Sequence, residues 1–143
     1  MLYLPDANIL IYAKMSGMPE HKTSFKWLNS ALADTNTTLL VCETNILAFL
    51  RITTNRKVFV PPLSITEAKQ FVSGILGHPR VQLFRPTSDH FIAVTDLMKK
   101  HAFLGNLTMD AHLVAIALST GATIVTRDSD FKKVRYLNVI EPS

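Results

Sequence analysis

The sequence predicts an α/β fold of three layers, in which a central, mainly parallel sheet of four to five strands lies between helices. Short β-branched and apolar runs alternate with longer segments whose apolar residues recur every three or four positions. This alternation is typical of strands joined by crossover helices, which make a sheet parallel. The length of 143 residues suits one domain with a proper core. We therefore expect residues 1–143 to form a single domain.

The elements of the first half follow from apolar spacing. The runs Leu2–Leu4 and Thr38–Cys42 predict strands because they are short and apolar or β-branched. Segments Ala7–Lys14, Glu20–Ala33 and Thr44–Thr53 predict helices because their apolar residues fall on one side at helical period.

The elements of the second half are bounded by caps and breakers. Two prolines break the chain at Pro61-Pro62, and Ser64 with Glu67 then forms a capping-box pattern that opens a helix. Glycine and proline end that helix and the strand after it. The remaining predictions are strands at Val81–Phe84, Ala122–Thr126 and Leu137–Ile140, a helix that Ser88 caps and that runs through His101, and a helix that Thr108 caps and Gly121 stops.

Composition excludes several classes of protein. No apolar stretch approaches the roughly 20 residues that span a bilayer, and Met1–Leu4 lacks the features of a signal peptide. A single cysteine, Cys42, excludes an internal disulfide and favours a reducing, cytoplasmic setting. The net charge of +4 suits an anionic partner. Apolar residues make up 48% of the chain, an excess that suggests self-association or a partner groove.

Four carboxylates stand where an apolar run ends or a helix begins. Asp6, Glu43 and Asp128 follow three of the predicted strands within two residues, and Asp110 opens a strongly apolar helix. Ligands of parallel α/β sheets bind at the carboxyl ends of the strands. Acids that are distant in sequence are therefore expected to meet at one edge of the sheet.

Such a cluster needs a counter-charge. Two unit charges 4 Å apart repel by about 4 kcal/mol at an effective dielectric near 20, whereas a helix N-terminus returns only about 0.3–1 kcal/mol. Either some acids are protonated or a divalent cation lies among them. Oxygen ligands favour Mg²⁺ or Mn²⁺, which activates water for phosphoryl chemistry.

Each acid also has an ordinary structural explanation. Asp6 can be a plain N-cap, Glu43 and Asp110 can be acids in a first helical turn, and Asp128 can be a turn residue. All four falling on one edge of the sheet by chance is the weaker explanation.

Four segments in order resemble the PIN-domain ribonucleases, and among them the VapC toxins of bacterial toxin–antitoxin pairs. The resemblance spans essentially the whole chain. It lies in Leu4-Pro5-Asp6-Ala7-Asn8, in the helix of Glu43, in Thr108-Met109-Asp110-Ala111-His112, and in Thr126-Arg127-Asp128-Ser129-Asp130-Phe131; Phe49-Leu50-Arg51-Ile52-Thr53-Thr54-Asn55 also looks like one VapC branch.

The resemblance implies a PIN-like α/β/α domain and a Mg²⁺- or Mn²⁺-dependent endoribonuclease that cuts transfer, ribosomal or messenger RNA and arrests growth. Asp6 and Asp110 would bind the metal directly, and Glu43 and Asp128 would hold metal-bound waters or orient the nucleophile, with Asp130 as a fifth candidate. The implied partners are a VapB-type antitoxin that blocks the acidic edge of the sheet and a second copy of the chain in a homodimer.

Several further residues are candidates with open alternatives. The amide of Asn8 and the hydroxyl of Thr126 could reach the site, or could make local bonds only. Arg51, Arg56 and Lys57 form the densest basic stretch, which could follow RNA phosphates or be a solvated helix end. His112 is expected to face away from Asp110, and His21, His78, His90 and His101 are expected to be solvated.

Two functions remain in competition. The first is the metal-dependent ribonuclease toxin. The alternative is a non-catalytic PIN-like protein that binds RNA or serves as a scaffold. The intact set of acids favours the enzyme, and cleavage of RNA that responds to added metal would separate the two.

Overall fold

A computed structural model describes all 143 residues. Its centre is a sheet of five strands in the order β3-β2-β1-β4-β5, and every neighbouring pair is parallel. The predicted three-layer α/β/α architecture is confirmed. The strands are β1 Leu2–Pro5, β2 Thr38–Cys42, β3 Val81–Phe84, β4 Thr123–Val125 and β5 Val139–Ile140.

Six α-helices cover the two faces of the sheet. Helices α1 to α4 pack against one another and against β2 and β3, whereas α5 and α6 pair with each other and α6 contacts β4. None of the six combines the length and the apolar character that crossing a bilayer requires. Their bounds are α1 Ala7–Lys14, α2 His21–Ala33, α3 Glu43–Thr53, α4 Ile65–Leu76, α5 Ser88–His101 and α6 Thr108–Thr120.

The core follows the alternation of side chains along the central strands. Leu40 of β2 packs in the cluster built from α5 and α6, while Leu39 and Val41 pack with α2 and α4 on the opposite face. Successive side chains of a strand point to opposite faces, so a strand covered on both sides reads as a continuous apolar run.

The strand order creates a crevice in the middle of the sheet. From β1 the chain proceeds outward to β2 and β3, then returns to the other side of β1 to form β4 and β5. The direction of winding therefore reverses between β1 and β4. In open parallel sheets ligands bind outside the carboxyl ends of the strands at such a reversal.

Two helix starts show how local sequence sets the boundaries. At α4 the predicted capping box is confirmed, because the Ser64 hydroxyl accepts from the Glu67 amide and the Glu67 carboxylate accepts from the Ser64 amide. At α6 the prediction that Thr108 is the cap is wrong. A 3₁₀ turn at Gly105–Leu107 runs directly into the helix, so Leu107 takes the cap position without a side-chain bond.

Candidate active site

Asp6 directly follows β1 and lies at the centre of the crevice. It is the N-cap of α1, where its Oδ1 accepts from the Ile9 amide at 3.0 Å. Its Oδ2 accepts from the hydroxyl of Thr126. Burial raises the pKa of Asp6, with Asp128 adding to the rise, while these hydrogen bonds oppose it. The carboxylate is thus held in one orientation and keeps lone pairs free for a ligand.

Thr126 connects two of the predicted acids. It is buried just beyond β4, and besides donating to Asp6 its Oγ1 accepts from the Asp128 amide at 3.0 Å. Asp128 in turn accepts from the Asp130 amide at 2.9 Å. The hydroxyl therefore links the loop after β4 to the end of β1. Thr126 thus contacts the acids of the site and does not make local bonds only.

Asp110 lies in the first turn of α6 and lines the same cavity as Asp6. Burial, together with the negative charges of Asp128, Asp130 and Asp6, raises its pKa to about 6. Carboxylate oxygens of Asp110, Asp128 and Asp130 all lie within 4.8 Å of one another. Three hard oxygen donors at this separation suit a divalent cation.

Glu43 is not among the residues that line the cavity of Asp6, Asp110 and Asp128. It is the first residue of α3 and is exposed. The residues of α3 that do line this cavity are Thr44, Asn45, Leu47, Ala48 and Arg51. Glu43 lines the neighbouring cavity, which shares Thr44 and Met109 with the acidic one. Its predicted place among the catalytic acids stays a prediction.

Asn45 is a site residue that the sequence reasoning missed. It is buried in the first turn of α3, and its Nδ2 donates to the carbonyl of Pro5 at 2.9 Å. This bond ties α3 to the end of β1, one residue before Asp6. A polar residue between apolar helix positions was the available signal.

His90 and His112 form a second feature that the sequence did not predict. Nε2 of His90 lies 2.8 Å from Nδ1 of His112, and both rings are buried. Burial lowers the pKa of both, and the proximity of His90 adds to the effect on His112. The expectation that His90 is solvated is wrong, because helix α5 packs it against α6 and against the ring of Phe84.

The acids surround one cavity of about 640 Å³ at the crevice. Asn8 lines it, as does Arg51, which places one cation beside the carboxylates; Arg56 and Lys57 lie in the exposed turn after α3, away from it. Such a cavity can hold a metal ion and a phosphate together. Its lining residues are Asp6, Ala7, Asn8, Thr44, Asn45, Leu47, Ala48, Arg51, Met109, Asp110, Leu113 and Asp128.

Comparison with known proteins agrees with this geometry. The family profile described as "PIN domain" matches residues 3–136. The chain belongs to the PIN-domain family. Among curated proteins it is 34% identical to Ribonuclease VapC43 of Mycobacterium tuberculosis over 137 residues, which is 96% of this chain and 92% of the relative. It is 35% identical to Ribonuclease VapC37 of the same organism over 126 residues, 88% and 87% of the two chains.

Solved structures show the same PIN fold. The Mycobacterium tuberculosis VapC20 structure, of a sarcin–ricin loop cleaving toxin, covers 97% of this chain and 98% of its own, with a TM-score of 0.74 at 14% identity. VapBC2 of Rickettsia felis, bound to a DNA fragment from its promoter, covers 100% of both chains with a TM-score of 0.68 at 19% identity. The predicted membership of the VapC ribonucleases is confirmed, and with it the enzyme class, a toxin endoribonuclease.

Proposed function

We propose that this PIN domain, as a single-domain chain, hydrolyses RNA phosphodiester bonds with the help of a divalent cation and acts as the toxin of a toxin–antitoxin pair. The observation that carries the proposal is the meeting of Asp6, Asp110 and Asp128 around one cavity at the crevice between β1 and β4. Phosphoryl transfer depends on positioning and on stabilisation of charge, and this arrangement supplies groups for both.

The cation is proposed to lie at Asp110. Asp110 is near Asp6, Asp128 and Asp130. Its carboxylate lies within 4.8 Å of those of Asp128 and Asp130, and the charge of Asp6 raises its pKa. Asp6 and Asp110 are the proposed direct ligands, with Glu43 and Asp128 holding metal-bound waters or orienting the nucleophile and Asp130 as a fifth candidate, since Mg²⁺ keeps several waters when bound to proteins. When bound, Mg²⁺ or Mn²⁺ would supply a more acidic water and offset charge on the phosphate.

The chain's own residues position the reacting groups. The hydrogen bonds from Thr126 and Ile9 hold Asp6 in one orientation, which lowers the cost of ordering it when substrate binds. The guanidinium of Arg51, which lines the same cavity, can bind phosphate oxygens in a bidentate manner. The Asn8 amide is a further donor to the phosphate or to a water.

The proposed partners follow from the charge of the site and from the family. A cavity of three acids accepts a basic side chain, which is how an antitoxin could block it. Neighbours of this fold include a toxin–antitoxin complex from Klebsiella pneumoniae, with a TM-score of 0.65. A homodimer is proposed because large apolar side chains such as Val60, Ile65 and Leu83 are exposed.

The test is cleavage of a fluorescent single-stranded RNA by the purified chain during titration with Mg²⁺ or Mn²⁺. We expect cleavage to require the cation and to fall by at least about 100-fold in Asp6→Asn and Asp110→Asn. Asp96→Asn, which removes an exposed carboxylate of α5, should cut normally. Full activity of either site variant, or activity in EDTA, would remove the mechanism.

The same assay addresses the alternative of a non-catalytic PIN-like protein. Such a protein would bind the RNA in a salt-dependent manner and leave it uncut at every metal concentration.

A further inference from the structure

Helix α6, which carries Asp110, is enclosed on all sides after its first turn. Residues 111–117 are all buried, and they cover about two turns of helix. A helix with one apolar face is oriented by burial of that face. A helix that is apolar all round has no such preferred face, because the hydrophobic effect is not directional. The apolar pattern alone therefore leaves the rotation of α6 about its axis undetermined.

The rotation of α6 decides where the carboxylate of Asp110 lies. A group at the surface of a helix is about 5–6 Å from the axis, so a rotation of about 10° moves it by about 1 Å. A displacement of about 1 Å in an active site can cost about 100-fold in rate. Asp110 cannot resist such a rotation itself, because its carboxylate accepts no hydrogen bond and Leu107 caps the helix without a side-chain bond.

His112 is the one polar residue in the buried run of α6, and its contact is directional. Its Nδ1 lies 2.8 Å from Nε2 of His90 in α5, and the two residues are only 9% and 8% exposed. Burial lowers the pKa of both rings, so at pH 7.5 both are neutral and one donates to the other. This is the only hydrogen bond that joins the side chains of two helices.

The ring of His90 is itself held in place by aromatic contacts. It packs edge-on against Phe84, the last residue of β3, with the ring centroids 5.1 Å apart. It also packs edge-on against Phe91 at 5.3 Å and against His112 at 4.9 Å. The hydrogen bond therefore connects the rotation of α6 to α5 and to the end of a strand.

We propose that the hydrogen bond between His90 and His112 sets the rotation of α6 and thereby positions Asp110 for the cation. A hydrogen bond keeps its donor and acceptor within a range of about 0.5 Å. His112 and Asp110 are two residues apart on one helix, so a rotation that keeps the bond moves Asp110 by about 0.5 Å as well. The inference rests on the proposed function, in which Asp110 is a metal ligand. Both histidines are positioning residues.

The first test is Mn²⁺ binding to the full chain at pH 7.5, followed by the EPR signal of free Mn²⁺, which does not depend on RNA cleavage. His90→Leu removes the hydrogen bond, and we expect the affinity for Mn²⁺ to fall by about 10-fold, as when a group that orients a metal ligand is lost. The amide of glutamine reaches as far as Nε2 of histidine. His90→Gln can therefore restore the bond and should bind Mn²⁺ within about three-fold of the unmodified chain.

Two further variants separate positioning from stability. The double variant His90→Leu with His112→Leu leaves no buried polar atom unpaired, so its Tm should stay close to that of the unmodified chain. Its Mn²⁺ affinity should still be about 10-fold weaker. Val94 is buried one turn further along α5. Val94→Ala should lower Tm by leaving a cavity, yet keep the Mn²⁺ affinity within about two-fold.

Unchanged Mn²⁺ affinity in the double variant, or an equal loss in Val94→Ala, would overturn the inference. Crystal structures in EDTA provide a second test, in which the Asp110 carboxylate of the double variant should lie about 1 Å from its position in the unmodified chain. An unmoved carboxylate would also overturn the inference. This comparison needs neither metal nor cleavage. Failure of the ribonuclease function would appear separately, as absence of cutting by the unmodified chain.

Discussion

Asp110→Asn should stabilise the metal-free protein, because Asp110 is repelled by its neighbours. Its carboxylate lies within 4.8 Å of those of Asp128 and Asp130. At that distance the repulsion is about 1 kcal/mol per pair in water and about 3.5 kcal/mol at an effective dielectric of 20. Both neighbours are exposed, so the lower value applies and solvent screening reduces it further. We expect a gain of about 1–2 kcal/mol, or about 3–7 °C in Tm for a chain of this length.

The pH dependence provides a second signature of the same repulsion. The pKa of Asp110 is raised to about 6 from an ordinary value of 3.8, so between these values the folded protein holds a proton that the unfolded chain does not. Its ionisation therefore destabilises the fold at neutral pH, and the penalty is relieved as pH falls through 6 toward 4. The metal-free protein should gain stability between pH 7.5 and 5, and Asp110→Asn should show a smaller gain.

The assay is thermal unfolding at low ionic strength, in EDTA and in Mg²⁺ or Mn²⁺. A cation that binds only the folded state raises Tm, so the metal should stabilise the unmodified protein most at pH 7.5 and less at pH 5, where Asp110 holds a proton. In Asp110→Asn the metal should have little effect, and Asp96→Asn should behave as the unmodified chain. A variant that is less stable than the unmodified protein in EDTA, or equally responsive to metal, would refute the reasoning.

Three further predictions concern the frame of the site. Arg51→Ala should weaken RNA binding. It should also lower the slope of log affinity against log salt concentration by about 0.7, the value of one phosphate contact on single strands, and by more than Arg56→Ala does. Equal slopes for the two variants would remove Arg51 from the interface. Asn45→Ala removes a buried hydrogen bond to the Pro5 carbonyl and should cost about 0.5–1.5 kcal/mol in urea unfolding, a loss that unchanged stability would contradict. Phe49→Ala removes a fully buried ring and should lower the free energy of unfolding by about 3–5 kcal/mol. An unchanged Tm in calorimetry would contradict this.

The central acids could be predicted from sequence because their positions depend on strand order alone. Asp6 follows β1, and Thr126 and Asp128 follow β4. Any parallel sheet that pairs these strands brings the three residues to one edge. The contact between Thr126 and Asp6 spans 120 residues, yet it needed only the recognition of two short apolar runs.

Positions on helices were harder to predict because they depend on rotational phase. Glu43 begins α3 one residue before Thr44; Thr44 lines the acidic cavity and the neighbouring one, whereas Glu43 lines the neighbouring one. The sequence boundary for this helix, Thr44, was also one residue late. The pairing of His90 with His112 depends on how α5 packs on α6, across 22 residues. Neither helix contains a local signal for that contact.

The two sides of the acidic cavity differ in what holds them in place, and this difference determines the effect of the metal. Asp6 accepts hydrogen bonds from Thr126 and Ile9 and is fixed by the protein itself. Asp110 is positioned only by its helix, and its surroundings disfavour its charge. The cation therefore contributes most to the position of Asp110, the carboxylate that the protein itself holds least firmly. Removing metal should free the Asp110 side of the site while Asp6 keeps its orientation, which NMR of the two carboxyl groups would detect.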